Sequence, residues 1–420
     1  MTVSPITWYH ATADISERNR LNGDLRCDVC VIGGGLTGVS TALNCAERGL
    51  NVVLLESETI GFGASGRNGG QVVQGFAVDI AVIEQYVGKE SARIFFQMAR
   101  EAVDDLKERT ARHAPEADLR FGYLHLTLNN QQFKTMQSFC AALHAWGYTG
   151  PRMITRSEVR DWLGSDRYFG AMIDPESGQI HSLRYLLGLA RGAEEAGAVL
   201  FEHSAARKVK GTIVQTDAGV VTAKHIVYCC NAYLGKLESK LYSKIMPIAS
   251  FISVTEQLSA SLVAAIFPQD VAVADCNIAL DYFRLTHDRR LLFGSGASYS
   301  AITPPGLVHT MKRKIVRIFP EMGDITIDYQ WGGLIGITIN RIPDIGRLSN
   351  NTFYAHGFSG HGIALTGFAG KIIAEAITSS DSRLKLFETV RHRPFPGGWL
   401  RTPALMAGMS WAKIRDWLSI

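Results

Sequence analysis

Gly33, Gly35 and Gly38 fall on the spacing G-x-G-x-x-G, and the next apolar run ends in Glu56 and Ser57. That pattern suits a dinucleotide pyrophosphate. Gly33 permits a tight turn, Gly35 lets the backbone approach the phosphates, and Gly38 allows a helix to pack closely on a strand. Leu36 and Thr37 open that helix, so their N–H groups and the positive dipole end face an anion. Glu56 sits where a carboxylate accepts hydrogen bonds from the adenosine ribose hydroxyls. The elements needed are all legible. Cys27–Ile32 reads as a buried strand, and Leu36, Val39, Leu43 and Ala46 recur at helical spacing. Gly49 marks a helix stop, and 51–55 reads as a second strand. A lone glycine motif is weak. Gly61-Phe62-Gly63-Ala64-Ser65-Gly66 matches it too, without a strand directly before it. The setting of the first match is what makes it informative.

This unit does not separate FAD from NAD, since both carry ADP. Two further segments favour FAD. The loop Ala64-Ser65-Gly66-Arg67-Asn68-Gly69-Gly70-Gln71 mixes glycines with Ser, Arg, Asn and Gln, a set able to surround a large polar ligand; the plain alternative is a flexible surface loop. Far along the chain, Gly357-Phe358-Ser359-Gly360-His361-Gly362 follows an expected strand at 352–355 and opens a helix containing Ile363, Leu365 and Phe368. A helix start aimed out of that turn would stabilise negative charge on a reduced flavin. A nicotinamide enzyme has no need of this late return.

Together these segments resemble the glycine/D-amino-acid oxidase superfamily, and more closely the γ-glutamylputrescine oxidase family. The likeness continues through Gly178-Gln179-Ile180-His181, Asn231-Ala232-Tyr233-Leu234-Gly235, Leu280-Asp281-Tyr282-Phe283-Arg284-Leu285-Thr286 and Pro394-Phe395-Pro396-Gly397-Gly398. It implies an α/β fold: a discontinuous Rossmann-like FAD-binding domain (1–80, 150–230 and 331–420) with an inserted α+β substrate domain (81–149 and 231–330) containing an antiparallel sheet. It also implies an adenine-contacting valine, mapped to Val209, and a flavin-side position at Gly332. Two departures bear on chemistry. Many α-amino-acid members carry Gly-Leu-Arg-Pro, whose arginine grips the substrate carboxylate; this chain has Gly333-Leu334-Ile335-Gly336. Ile335 cannot pair with a carboxylate, which favours an amine whose reacting carbon carries none. Sarcosine oxidases attach flavin through a cysteine here; Trp331-Gly332-Gly333 has none, so FAD is expected to be non-covalent.

The resemblance implies oxidation of an amine C–N bond to an imine, then an aldehyde with release of ammonia or an amine, with O2 giving H2O2 or another electron acceptor in its place. Alternation in the strand 278–285 puts Leu280, Tyr282 and Arg284 on one face. Tyr282 is then a candidate wall of the substrate cavity, and Arg284 a candidate grip for a distal carboxylate. The competing reading makes Tyr282 core and Arg284 a structural ion-pair partner. His361 is expected at the flavin, as acid, base or hydrogen-bond donor. Arg67 is expected to contact flavin or help gate the pocket, with an ion pair within its loop as the plain alternative. Three rival functions stay open: a D-amino-acid or sarcosine-type dehydrogenase passing electrons to a quinone, a nicotinamide-dependent dehydrogenase, and a non-catalytic flavin-binding protein.

The bulk properties agree with these readings. At 420 residues the chain exceeds one small core, and 46% hydrophobic with 20% charged residues is ordinary for a globular protein. A net charge of +4 without a basic block does not point to nucleic acid. No apolar run is long enough to span a bilayer, and the opening residues lack the pattern of a signal peptide. Aromatics at helical spacing in the last residues, 410–420, suit a terminal helix packed on the body. Seven scattered cysteines read as reduced cytoplasmic thiols, with Cys27 and Cys30 on opposite faces of a strand. The histidines show no metal-ligand spacing, so no metal is expected. The oligomeric state is not legible.

Overall fold

The computed structural model describes residues 6–277, 280–298 and 303–396. Gly397, Gly398, the residues 410–420 and the expected strand start at 278 lie outside them.

The apolar run after Arg26 forms the strand Leu25–Ile32, whose last four residues are buried on both faces. It lies at the centre of a sheet ordered Asp344–Ser349, Thr352–His356, Val220–Tyr228, Leu25–Ile32, Val52–Leu55 and Val199–Phe201. The first pair is antiparallel and the others are parallel. Two short strands, Lys208–Lys210 and Ile213–Gln215, hang from Val220–Tyr228 as an antiparallel excursion. Strands buried on both faces need helices above and below. The helices Leu36–Ala46, Lys89–His113, Ser182–Glu195 and Ile363–Thr378 supply one layer, sharing a core that includes Val39, Leu43, Phe95, Ala99, Leu186, Phe368 and Ile372. This is an α/β architecture with a Rossmann-like sheet.

The second sheet is largely antiparallel. Its order is Ile327–Ile337, Met246–Thr255, Leu291–Ser298, Tyr282–Leu285, Ala272–Asp275, Arg120–Thr127, Gly170–Gln179 and Gln71–Val72, with Arg152–Thr155 beside Gly170–Gln179. Strand alternation gives it two faces. Leu124, Leu126, Phe251, Phe283 and Phe293 face a core closed by the Leu307–Ile318 helix, with Phe283 stacked on Phe293 at 5.8 Å. Tyr123, His125, Ser250, Ala274 and Tyr282 alternate with them and face the other way, onto a cavity.

The expected segment boundaries differ from this arrangement in several places, since Gln71–Val72 and residues 331–337 of the Ile327–Ile337 strand, in segments expected with the FAD-binding domain, belong to the second sheet. The strands Arg152–Thr155 and Gly170–Gln179, in a segment expected with the FAD-binding domain, lie in the second sheet, because Gly170–Gln179 pairs with Arg120–Thr127 and Arg152–Thr155 pairs with Gly170–Gln179. The Lys89–His113 helix, expected with the substrate segments, packs on the first sheet's helices through Phe95, Ala99 and Val103. Among the described residues, no helix is long and apolar enough to cross a membrane.

Two local features support the frame. A Cβ at Gly38 would overlap the carbonyl oxygen of Gly33, so the first helix sits on its strand only because this residue is glycine. Gly38→Ala is expected to cost about 1–3 kcal/mol of stability, read as a lower denaturant midpoint; an unchanged midpoint would contradict the packing.

His181 caps the Ser182–Glu195 helix. Its Nδ1 accepts from Arg184 N at 3.1 Å, and its Nε2 lies 2.9 Å from Thr12 Oγ1. Trp8 and Tyr9 enclose the ring at 4.8 and 4.9 Å between centroids. Burial, with smaller contributions from Arg184 and Arg284, pushes the imidazole from 6.5 to about 2. The folded protein therefore keeps it neutral while the unfolded chain takes up a proton below 6.5. The stability from this site is complete above pH 6.5 and falls as pH drops towards 2, by at most about 1.4 kcal/mol per pH unit. His181→Asn, which retains a capping oxygen, is expected to flatten the fall in melting temperature between pH 6.5 and 5. An identical slope in the variant would exclude His181 as its source.

Candidate active site

A cavity of about 720 Å³ lies between the two sheets. One end is the glycine turn that follows the central strand. Gly33, Gly35, Leu36 and Thr37 line it, with Glu56 and Ser57 beside them. Gly33 has φ +112°, which a side-chain-bearing residue rarely adopts. Glu56 is held by Gly34 N at 2.6 Å, Glu58 N at 2.9 Å and Ser57 Oγ at 3.0 Å, which aims its carboxylate at the turn. The helix starting at Leu36 has no side-chain cap on Gly35.

The middle wall is the loop 63–71. Ala64, Ser65, Arg67, Asn68, Gly69 and Gln71 line the cavity; Gly66 and Gly70 do not. The loop is latched by its own side chains. Asn68 donates to Ala64 O and Ser65 O at 3.0 and 2.9 Å and accepts from Gly70 N at 2.8 Å and from Ser182 Oγ. Ser65 Oγ accepts from Leu36 N at 2.9 Å, tying the loop to the glycine turn. Arg67 donates to Phe62 O at 2.8 Å and Gly332 O at 3.4 Å and lies over the Phe62 ring. Its partners are carbonyls and an aromatic ring, so the expected ion pair within the loop is absent among the described residues.

The far end is the return turn. Ser359, Gly360, His361 and Gly362 line the cavity, while Gly357 lies behind them, its N–H donating to Asn231 Oδ1 at 3.0 Å. The Ile363–Thr378 helix opens from Gly362 without a side-chain cap. Burial, with nearby His125 and Arg341, pushes His361 down to about 4, so it is neutral at pH 7. His125 faces the cavity from the second sheet and is likewise lowered by burial.

Tyr282 lines the cavity beside Leu280, its hydroxyl 3.3 Å from Ser250 Oγ. Two expected contacts take a different form. Arg284 shares the parity of Tyr282 but is 1% exposed and outside the cavity. One step further along the strand, the loop and the 179–180 segment close over it. Its guanidinium donates to Gly69 O at 2.8 Å, Tyr9 Oη at 3.1 Å, Ile180 O and Leu285 O at 3.3 Å, and Gln179 Oε1 at 3.4 Å. It holds carbonyls and neutral side chains rather than a ligand carboxylate, and among the described residues it has no acidic partner. Val209 lies in the short Lys208–Lys210 strand packed on a core, and Ala205 and Ala206 line the cavity instead, because the chain has already turned away at 209. Gly332 contributes its carbonyl to Arg67, while Gly333 faces the cavity.

Several lining residues escaped the sequence reading: Tyr123, His125, Asn231, Asp275 and Arg341. Alternation in Arg120–Thr127 would have put Tyr123 and His125 on one face. The others lie in irregular chain or at strand ends, where no periodic signal exists. Tyr123 donates to Gln71 Oε1 at 2.8 Å and Gln71 donates to Val273 O at 2.7 Å, binding the loop to the second sheet.

With this geometry in hand, comparison with known proteins is decisive. Residues 28–376 match the family described as DAO, FAD dependent oxidoreductase. The chain belongs to that family. It is 38% identical to γ-glutamylputrescine oxidoreductase of Escherichia coli K12, covering 100% of both chains. It is 37% identical to the probable oxidoreductase OrdL of Haemophilus influenzae, over 93% of this chain and 92% of that one. Among solved structures, glycine oxidase from Geobacillus kaustophilus superposes with a TM-score of 0.74 at 19% identity, covering 88% of this chain and 100% of the other. L-proline dehydrogenase from P. horikoshii gives 0.73 at 22% identity, covering 87% and 96%. These two share the fold. The protein is thus an FAD-dependent oxidoreductase, and its cavity fits FAD. A glycine turn and two helix starts face it, neither helix capped by a side chain of its own N-cap glycine, and a Cβ at Gly35 would come within 2.9 Å of Ser65 Oγ where the turn meets the loop.

Arg284→Met is expected to destabilise the holoenzyme by at least about 2–4 kcal/mol, because several buried acceptors lose their donor, and to lower flavin content. Denaturant unfolding with flavin quantification measures both. A variant of normal stability that only raised the substrate KM would instead restore Arg284 as a ligand grip.

Proposed function

We propose that the protein oxidises the terminal C–N bond of an amine whose reacting carbon bears no carboxylate, with a γ-glutamyl amine such as γ-glutamylputrescine as the preferred class. The observation that carries this reading is Ile335. It lines the cavity where an α-amino-acid oxidase of this superfamily would present arginine, in company with Ile248, Leu280 and Ile337. The name of the Escherichia coli relative supports the same substrate class.

FAD, when bound, supplies the acceptor for the two electrons that leave the CH–NH unit. The chain's own residues orient and tune. The glycine turn, with Glu56 and Ser57, holds the ADP part, and the loop Ala64–Gln71 covers the middle. The return turn Gly357–Gly362 sets its uncapped helix start and His361 at the far end, as hydrogen-bond donor rather than cation. Tyr282 and the apolar side chains exclude water and disfavour charge on the substrate nitrogen, which must be neutral to form the imine. Two electrons and two protons lost from the amine leave an imine, and water converts it to an aldehyde and ammonia. Oxygen then takes the electrons and two protons to give H2O2; a quinone is the competing acceptor. The flavin is held non-covalently. Cys229 and Cys230 line the cavity, but burial raises both thiols, Cys230 to about 12, which keeps them protonated and unreactive.

The test is anaerobic bleaching of the flavin absorbance by γ-glutamylputrescine, putrescine, sarcosine and D-alanine, followed by oxygen and a peroxide assay. Rapid bleaching by the γ-glutamyl amine, with peroxide on reoxidation, is expected. Bleaching by D-alanine alone would overturn the reading from Ile335, and slow reoxidation without peroxide would replace oxidase by dehydrogenase. Acid precipitation should release the flavin into the supernatant.

A further inference from the structure

We propose that Arg341 is the anion grip of this cavity and takes the distal carboxylate of the substrate. The inference rests on the amine reading above for its substrate and on the geometry below for the residue. A substrate with no carboxylate at its reacting carbon still needs a handle that fixes that carbon at one place. The cavity is lined by two guanidinium groups, Arg67 and Arg341, and by no lysine among the described residues. Arg67 is already committed to Phe62 O, Gly332 O and the Phe62 ring. Arg284 is sealed behind Gly69. The guanidinium of Arg341 forms no ion pair or hydrogen bond with any described residue.

Its backbone, in contrast, is tightly held. Arg341 has φ +59°, a left-handed conformation uncommon outside glycine and asparagine. The turn that imposes it is pinned at each step: Arg341 N donates to Thr338 O at 3.2 Å, Thr338 Oγ1 to Ile342 O at 2.8 Å, and Ile342 N to Asn340 Oδ1 at 3.1 Å. The turn also docks on the return turn, through Thr338 N to Ser359 Oγ at 3.3 Å and Ser359 N to Gly336 O at 3.0 Å. Arg341 is solvent-exposed yet lines the same cavity as His361, and an uncommitted guanidinium on a firmly held turn is free to pair with a carboxylate that enters there. It follows Ile335 on the same segment and lines the same cavity, so the cation stands at a different place on the wall from the position that Ile335 occupies. That displacement suits a carboxylate separated from the amine by the length of a γ-glutamyl amide.

The experiment uses the holoenzyme with Arg341→Gln and Arg341→Lys. Two readouts are taken: kcat/KM for γ-glutamylputrescine relative to N-acetylputrescine, which lacks the carboxylate, and binding of glutarate followed by the flavin spectrum. In Arg341→Gln the ratio is expected to fall roughly 10- to 100-fold, the worth of a charge-assisted hydrogen bond. Most of the fall should appear in KM, with a matching weakening of glutarate; Arg341→Lys should recover part of both. An unchanged ratio, or glutarate that binds Arg341→Gln as it binds wild type or does not bind wild type at all, overturns the proposal. If no amine bleaches the flavin, the amine reading fails, and the glutarate titration still decides the role of Arg341.

Discussion

A single buried cation organises the space between the two sheets. Arg284 reaches from the second sheet to the carbonyls of Gly69 and Ile180, to Gln179 and to Tyr9. A guanidinium has five donors in a fixed plane, and burying its charge is tolerable only when they are satisfied. Here neutral acceptors from three other stretches of chain, with the carbonyl of neighbouring Leu285, do so. The consequence is geometric: the loop 63–71, the end of the Gly170–Gln179 strand and the Trp8–Thr12 helix must converge on one point. Gly69 and Gly70 are glycines for the same reason, since a Cβ on the first would strike the Tyr282 ring and on the second the Ile180 carbonyl. The loop cannot shift without unpairing a charge.

That convergence sets the cavity wall. With Gly69 fixed under Tyr282, the tyrosine hydroxyl is left near Ser250 and its ring faces the cavity. Gln71 then carries the constraint onward through Tyr123 and Val273 to the next strands. On the opposite side, Asn231 joins Gly357 and the 336 region, so the return turn is referenced to the first sheet's own strand ends. The protein thus presents pre-positioned backbone donors at both ends of an elongated cavity, which is how a fold binds a long dinucleotide without large rearrangement.

Much of this was legible in the chain. The first strand–helix–strand unit falls within about two residues of its expected limits, because buried parallel strands and an amphipathic helix carry strong periodic signals. The return turn and its helix follow for the same reason. The two residues placed differently, Arg284 and Val209, have separate causes. Alternation correctly assigns Arg284 to the face of Tyr282, yet parity does not tell where along a strand the cavity ends; that depends on contacts with residues 69 and 180, remote in sequence. Val209 was carried over by likeness to a stretch whose turn comes earlier here, at Ala205 and Ala206. His125 was readable and overlooked, whereas Arg341 was not readable at all, since its place depends on how a turn docks against another turn.

The charge pattern of the cavity follows from the same packing. Glu56 belongs to the glycine turn and is held there by the backbone donors of Gly34 and Glu58. Asp275, on the substrate side, is raised by burial and already accepts from Asn277 N at 3.1 Å, Asn277 Nδ2 at 2.6 Å and Asp281 N at 3.1 Å. His125 and His361 are both kept neutral by burial. What remains beside Ile335 is a wall that also includes Ile248, Leu280 and Ile337, and most charged groups elsewhere in the cavity are already partnered, so an amine placed against that wall would meet little that pairs with a carboxylate beside it. Against such a wall a carboxylate next to the reacting carbon would be desolvated without compensation, a cost of several kcal/mol, whereas a neutral methylene chain loses nothing. On the proposed reading, discrimination against an α-carboxylate would come from the chemistry of the wall at Ile335 and would need no steric block.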